Sequence, residues 1–160
     1  MNKELSNINK ILVCGSRSIT NKDFIFFTIR KFVKNLYSNP TNLLKPVIIE
    51  GEARGVDSIA KSWAIENGWG IESYPAEWDK YGKSAGYIRN EVMVKKADYV
   101  IVIWDGQSKG TKHTMDLCNK YKKPYVTVTY KSGETRKKRY SKRISEYAHP
   151  FSCEGLGQWD

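Results

Sequence analysis

Short apolar runs alternate with amphipathic stretches from residue 10 to residue 129. Tyr99–Trp104 is the strongest run, and its unbroken apolar character indicates a strand buried on both faces of a sheet. Similar runs predict further strands at residues 10–14, 46–50, 69–74 and 125–129. Because strands that alternate with helices form parallel sheets, we predict an α/β, Rossmann-like three-layer sandwich. Its mostly parallel sheet would have about five strands in the order 3-2-1-4-5.

The segments between these strands predict helices over residues 22–37, 58–67 and 85–96, and a further helix that ends at Lys120. Asn21 or Thr20 is suited to cap the first helix, and Gly68 to end the second. The stretch 75–84 contains proline, glycine and lysine and is predicted as a loop leading into the helix at 85–96.

Length and charge limit the organisation of the chain and its partners. With 160 residues, 40% of them hydrophobic, the chain has the size of one domain. We assign residues 1–130 to this domain and residues 131–160 to a C-terminal extension with a basic run at 136–143. The formal net charge of +10 favours an anionic partner, which includes nucleotides, nucleic acid and acidic proteins.

Several classes of function are disfavoured. No apolar run approaches the roughly 20 residues that span a bilayer, and residues 1–10 lack the apolar core of a secretory signal. We therefore expect a cytoplasmic protein without a membrane partner. Cys14, Cys118 and Cys153 lack C-x-x-C spacing, and His113 and His149 do not form a ligand pair. We expect no metal site and no cofactor.

Ligands of open parallel sheets bind beyond the carboxyl ends of the strands, where neighbouring connections run to opposite faces. For the predicted strand order, this rule selects the loops after the first, second and fourth strands. The fourth-strand loop ends in Ser108-Lys109-Gly110-Thr111 at a helix start, which suits a phosphate because backbone N–H groups and hydroxyls point at the ligand. Ser108 acting only as a helix N-cap explains the same residues equally well.

The other two loops carry groups of the same kind. Arg17 is placed to form a fork with a phosphate, and Arg54 to bind an anion. Asp57 would bind ribose hydroxyls or cap the second helix, and capping is the commoner role. The candidate ligand residues of these loops are Gly15, Ser16, Arg17, Gly51, Glu52, Arg54, Gly55 and Asp57, together with Asp105, Ser108, Gly110 and Thr111.

Further candidates lie between the third and fourth strands and at the fourth strand's end. Trp78 and Trp104 would each stack on a base or pack in the core. Arg89 and Asn90 lie on a predicted helix, where solvated polar positions or ligand contacts both fit. Lys83, in the loop before that helix, completes the set of candidate ligand residues.

The ordered series of motifs resembles the SLOG superfamily, and within it the small YspA/YpsA-related branch found in bacteria and their phages. The resemblance covers roughly residues 10–129. It rests on the series rather than on any one motif, since each is short. The motifs are Gly15–Arg17, Gly51–Asp57, Ala76–Trp78, Gly82–Met93, Ala97-Asp98 and Trp104–Thr111.

This resemblance implies a nucleotide-binding domain with the Gly110-Thr111 loop on a phosphate, and a homodimer. Cytokinin-activating phosphoribohydrolases, which are distant relatives, use an arginine and a glutamate in catalysis. Arg89 matches that arginine, whereas Thr114 stands where the glutamate would be. Threonine cannot act as a carboxylate base near neutral pH.

Three functions remain open from the sequence. The leading one is a module that senses or sequesters a nucleotide or an ADP-ribose-type signal. The alternative is a hydrolase of an N-glycosidic or phosphoribosyl bond, with Arg89 and either Glu52 or Asp57 as catalytic candidates. The third is nucleic-acid binding through the basic run at 136–143, which the remote likeness of SLOG domains to the DNA-processing protein DprA suggests.

Overall fold

The computed structural model describes residues 8–37 and 46–131. They form a parallel sheet of five strands in the order β3-β2-β1-β4-β5. The predicted fold class and strand order are therefore confirmed. The strands are β1 (Lys10–Gly15), β2 (Val47–Glu50), β3 (Gly70–Ser73), β4 (Tyr99–Trp104) and β5 (Tyr125–Thr129).

Helices cover both faces of this sheet because alternate strand residues point to opposite sides. The helices are α1 (Lys22–Leu36), α2 (Val56–Glu66), α3 (Trp78–Tyr81), α4 (Ala85–Lys96) and α5 (Lys109–Lys120), with a 3-10 turn at Gly82–Ser84. On one face, Ile11, Val13 and Ile101 pack with side chains of α1 and α2. On the other, Leu12 and Val102 pack with side chains of α4 and α5.

Most predicted boundaries agree with the structure to within two residues. Asn21 caps α1 by accepting a hydrogen bond from Phe24 N, and Gly68 follows α2 with a φ of 67°. The predicted loop at 75–84 was partly wrong, since it contains α3 and the 3-10 turn. Glu77 precedes α3 without a side-chain cap, so the sequence carries no capping signal there.

The apolar stripe of α1 belongs to the core, as Phe24, Ile25, Ile29 and Phe32 are buried against the sheet. The homodimer stays a prediction. The basic run at 136–143 lies outside the described residues, and the proposed boundary at residue 130 stays a prediction. None of the helices in the two described ranges is long and apolar enough to cross a membrane.

Candidate functional site

A pocket of about 350 Å³ opens at the carboxyl edge of the sheet, between the loops after β1, β2 and β4 and the start of α4 and α5. We call it the edge pocket. Its position agrees with the rule for open parallel sheets. It is lined by Cys14, Gly15, Arg17, Ser18, Ala53, Asp57, Arg89, Asn90, Met93, Asp105, Ser108, Gly110, Thr111 and Thr114.

The first turn of α5 forms one wall of the edge pocket. Ser108 is the N-cap: its Oγ accepts hydrogen bonds from Thr111 N at 3.3 Å and from Thr111 Oγ1 at 3.0 Å. The capping role is therefore present, and it leaves the N–H groups of Lys109 and Gly110 without carbonyl partners in the helix. A Cβ at Gly110 would meet no atom within 4 Å, so the space beside this turn is open to a ligand.

Asp105 holds the loop in front of α5. Its carboxylate accepts hydrogen bonds from Gln107 N and Ser108 N, both at 2.8 Å, and from Ser18 Oγ at 2.9 Å. Burial raises the pKa of Asp105, but these donors together outweigh burial and keep the pKa below its usual value. The carboxylate is therefore ionised at neutral pH and serves as a scaffold for the loop.

Gly15 and Ser16 join β1 to the β4 side of the pocket. A Cβ on Gly15 would lie 2.1 Å from the carbonyl oxygen of Ile103, so only glycine fits this close approach of the strands. Ser16 N donates to Ile103 O at 3.0 Å, and the buried Ser16 hydroxyl accepts from Asp105 N at 3.0 Å. Ser16 thus fixes the loops relative to each other and does not line the pocket.

The opposite wall contains Asp57, which is 4% exposed. Its Oδ2 accepts a hydrogen bond from Gly51 N at 2.9 Å. The predicted capping role was wrong: Gly55 is the N-cap of α2, and the Asp57 carboxylate turns back to the preceding loop. Burial raises the pKa of Asp57 to about 6, against the lowering effect of Arg89 and of the backbone donors. Asp57 is thus an acid that titrates close to neutral pH.

Arg89 reaches the same wall from α4. Its Nη1 donates to the carbonyl oxygens of Gly51 and, at 3.3 Å, Tyr74. Burial lowers the pKa of Arg89, Asp57 raises it, and the nearby positive charge of Arg17 lowers it again. A Cβ on Gly51 would lie 2.5 Å from Arg89 Nη1 and 2.9 Å from Asp57 Oδ2, so a larger residue there would displace these two charged groups.

Asn90 connects this wall to the α5 turn. Its Oδ1 accepts from Arg89 Nε at 2.9 Å, and its Nδ2 donates to Gly110 O at 3.4 Å. Asn90 is only 7% exposed. The amide therefore orients the guanidinium of Arg89 and the start of α5 together, which sequence spacing does not reveal.

The structure brings nine of the seventeen predicted ligand residues into the lining of the edge pocket. Glu52 lies outside it and pairs with Lys61 at 3.5 Å, so it is not placed for catalysis there. Trp78 is 51% exposed away from the pocket. The remaining residues outside the lining are Ser16, Gly51, Arg54, Gly55, Lys83 and Trp104.

Some residues of the site were missed in the sequence. Glu50 is fully buried at the end of β2, where it accepts hydrogen bonds from Glu52 N at 2.6 Å and from the Ser73 hydroxyl. Its negative charge acts on both Asp57 and Arg89. A carboxylate directly after an apolar run was the available signal. The pocket lining also includes Cys14, Ser18, Ala53, Met93 and Thr114, which were not predicted as ligand residues.

Similar solved structures share the fold. One is DNA processing protein A from Helicobacter pylori, a protein that binds single-stranded DNA. It is 24% identical to this chain with a TM-score of 0.56, and the match covers 84% of this chain and 72% of that one. DprA from Streptococcus pneumoniae is 18% identical with a TM-score of 0.59, and 83% of this chain matches 54% of that one. This chain thus spans about half of the S. pneumoniae protein.

Sequence comparisons identify the family. The Gene 61 protein of Mycobacterium phage D29 is 31% identical over 129 residues, which cover 74% of this chain and 95% of the phage protein. The model of the YspA, cpYpsA-related SLOG family matches residues 9–81. That range contains β1, β2 and the Gly15–Arg17 and Gly51–Asp57 loops of the edge pocket. The chain therefore belongs to the YspA, cpYpsA-related SLOG family.

Proposed function

We propose that the protein binds a nucleotide-derived ligand, of the nucleotide or ADP-ribose type, with its phosphate in the edge pocket. The observation that carries this proposal is a pair of like charges at one open pocket. Arg17 and Arg89 both line it, and they are close enough for the charge of Arg17 to lower the pKa of Arg89. An anion between them would relieve that repulsion.

The groups around these arginines suit a phosphate ester. The first turn of α5 offers N–H groups and the positive end of its dipole. Arg17 has no ion-pair partner within the described ranges, which leaves its guanidinium available for a ligand. Asp105 is ionised, and beside its three loop donors its carboxylate has about one further acceptor position that suits a ribose hydroxyl group.

Calorimetry with AMP, ADP-ribose, cyclic ADP-ribose isomers and NAD tests the proposal. We expect at least one of them to bind, and Arg17→Ala to weaken that binding by about 10- to 100-fold, because a hydrogen bond to a charged group is lost. Arg30→Ala is the matched control, since Arg30 lies exposed on α1 and outside the pocket. Absence of binding by all four ligands, or equal effects of the two substitutions, contradicts the proposal.

A second candidate is hydrolysis of an N-glycosidic bond, and Asp57 is the observation that favours it. A carboxyl group with a pKa of about 6 is suited to give a proton to a leaving base near neutral pH. Chromatography of AMP or NAD after incubation with the protein tests this reaction. Release of free base that disappears in Asp57→Asn would support hydrolysis, whereas unchanged nucleotide at high protein concentration leaves binding alone.

Nucleic acid is a third proposed ligand, since DNA processing protein A from H. pylori, which shares the fold, binds single-stranded DNA. The same arginines and the α5 turn would contact backbone phosphates, and the basic run at 136–143 would add charge. We expect such binding to weaken steeply with salt. Deletion of residues 131–160 tests whether the edge pocket or the C-terminal extension binds DNA. Loss of DNA binding with intact nucleotide binding assigns DNA binding to the extension.

A further inference from the structure

A second concavity lies beside the edge pocket, on the other side of the first turn of α5. It has a volume of about 430 Å³, and we call it the ring groove. Gln107 and Lys109 line it, and they flank Ser108, which lines the edge pocket. A ligand with its phosphate at this turn therefore has direct access to both. The ring groove is lined by Tyr87, Trp104, Gln107, Lys109, Lys112, His113 and Asp116.

Three ring systems meet in this groove. The rings of Tyr87 and His113 lie with their centroids 4.3 Å apart at an angle of 37°. The indole of Trp104 is held in place because its Nε1 donates to Ser108 O at 3.1 Å. Tyr87 is 47% exposed, so part of its ring is accessible to a ligand. The groove thus contains a partly exposed tyrosine ring beside an indole that is fixed by a hydrogen bond.

The charge at the groove complements a phosphate-bearing ligand. Lys109 is exposed and has no ion-pair partner within the described ranges, while Lys112 pairs with Asp116. Burial lowers the pKa of His113 below its usual value, so its ring is neutral at pH 7. The groove therefore combines the aromatic rings of Tyr87 and His113 with the unpaired ammonium group of Lys109. Proteins that bind single-stranded nucleic acids use this combination, in which rings stack on bases and positive charges bind the backbone.

We propose that the ring groove binds a nucleobase, so that the protein takes a ligand with two nucleosides joined through a phosphate at the α5 turn. One base would stack on Tyr87, with Lys109 near the adjoining phosphate. The proposal rests on the proposed function, because it requires the phosphate to lie in the edge pocket. The edge pocket, at about 350 Å³, is at the small end of ligand sites, so a dinucleotide must extend beyond it.

Calorimetry with AMP and with the dinucleotide pApA, at constant salt, tests the groove on the full-length chain. We expect wild type to bind pApA about tenfold more tightly than AMP, as one additional stacked base would give. Tyr87→Ala should remove this advantage and leave AMP binding unchanged, while Tyr87→Phe should keep it because the ring remains. Tyr81→Ala is the matched control, since Tyr81 is 37% exposed and lines neither concavity.

The outcomes separate this proposal from the proposed function. Equal affinities of wild type for AMP and pApA overturn the ring groove and leave the edge pocket standing, as does an equal loss of both in Tyr87→Ala. Absence of binding by both AMP and pApA overturns the ring groove, and it overturns the proposed function as well when ADP-ribose, the cyclic ADP-ribose isomers and NAD also fail to bind. Calorimetry with a longer oligoadenylate distinguishes a nucleic-acid strand from a free dinucleotide as the ligand. If its binding depends on Tyr87 as strongly as the binding of pApA does, the ligand is a strand. If it binds more weakly than pApA, the ligand is a free dinucleotide.

Discussion

The two walls of the edge pocket each contain an aspartate, and their environments are opposite. Asp105, on the β4 side, accepts three hydrogen bonds from its own loop and from Ser18, and its pKa lies below the usual value. Asp57, on the β2 side, is almost fully buried, and the negative charge of Glu50 lies nearby. Both effects raise the pKa of Asp57, to about 6. One wall thus holds a fixed anion and the other a group that takes up a proton.

The different pKa values give the two walls different chemical properties. Two carboxyl groups whose environments separate their pKa values can take different roles in one site. Asp105 is satisfied by donors and stabilises the shape of the α5 turn. Asp57 shares its wall with Arg89 and Glu50, where desolvation outweighs the favourable contacts. The β2 wall is therefore the part of the pocket whose charge changes near neutral pH.

The largest expected effect is that of Asp57→Asn on the pH dependence of stability. The folded state holds the Asp57 proton more tightly than the unfolded state, so this contribution to stability is complete below about pH 4 and is lost as pH rises through about 6. The shift of about two pKa units corresponds to about 3 kcal/mol. We expect Asp57→Asn to be more stable than wild type at pH 8 by up to this amount.

Urea unfolding of both proteins between pH 4 and pH 8 measures this effect. The difference between variant and wild type isolates Asp57, because all other titrating groups are shared. The asparagine introduced by Asp57→Asn retains a side-chain oxygen that can accept from Gly51 N, which preserves the local contact. A difference that stays constant over this pH range would show that Asp57 titrates normally and would remove the contrast between the walls.

Asp105→Ala should have a smaller effect on stability, with the opposite pH dependence. Removal of the Asp105 carboxylate leaves three donors without their acceptor and should lower the free energy of unfolding by about 1–2 kcal/mol at pH 7, since the aspartate is partly exposed. Because the pKa of Asp105 is lowered, its contribution is present above about pH 4 and is lost in acid. Thermal unfolding at pH 7 and pH 3 measures it, with Asp116→Ala on exposed α5 surface as control. An equal cost at both pH values contradicts the role of the ionised form.

The smallest effect expected is on ligand affinity and depends on the proposed function. ADP-ribose is a suitable probe because its diphosphate does not titrate between pH 5 and pH 8. An anion in the pocket favours the protonated form of Asp57, so we expect its affinity to fall by up to about tenfold from pH 6 to pH 8. Calorimetry should find no such fall in Asp57→Asn. The same fall in both proteins would assign it to another group.

Much of the fold was predictable because buried strands appear in the sequence as short apolar segments. Tyr99–Trp104 is apolar throughout, as its position in the centre of the sheet requires. The strand order followed from the Rossmann-like topology and was correct. The start of α2 was less predictable. Gly55, with a φ of 76°, is the N-cap residue of that helix and provides no side-chain cap. From the sequence, Asp57 is the expected N-cap residue, because aspartate is favoured at that position.

The candidate site was predictable only at the level of its loops. Ser108, Gly110, Arg17 and Asp57 follow strands in the sequence and therefore gather at one edge of a parallel sheet. The roles of individual side chains were not accessible in this way. Ser16 holds the β1 and β4 loops together through a hydrogen bond between residues that are 89 positions apart. Such contacts depend on distances that only the packed sheet defines.

Sequence alone is sufficient to infer the alternation of strands and helices, the strand order and the loops that meet at the carboxyl edge, because these depend on local periodicity and on general rules of chain connection. The packed fold is needed to obtain the raised pKa of Asp57, the effect of the Arg17 charge on the pKa of Arg89, and the close approach of the Tyr87 and His113 rings. Burial, charge interaction and ring packing are properties of distances between residues remote in the chain. They exist only once the sheet and its helices have formed.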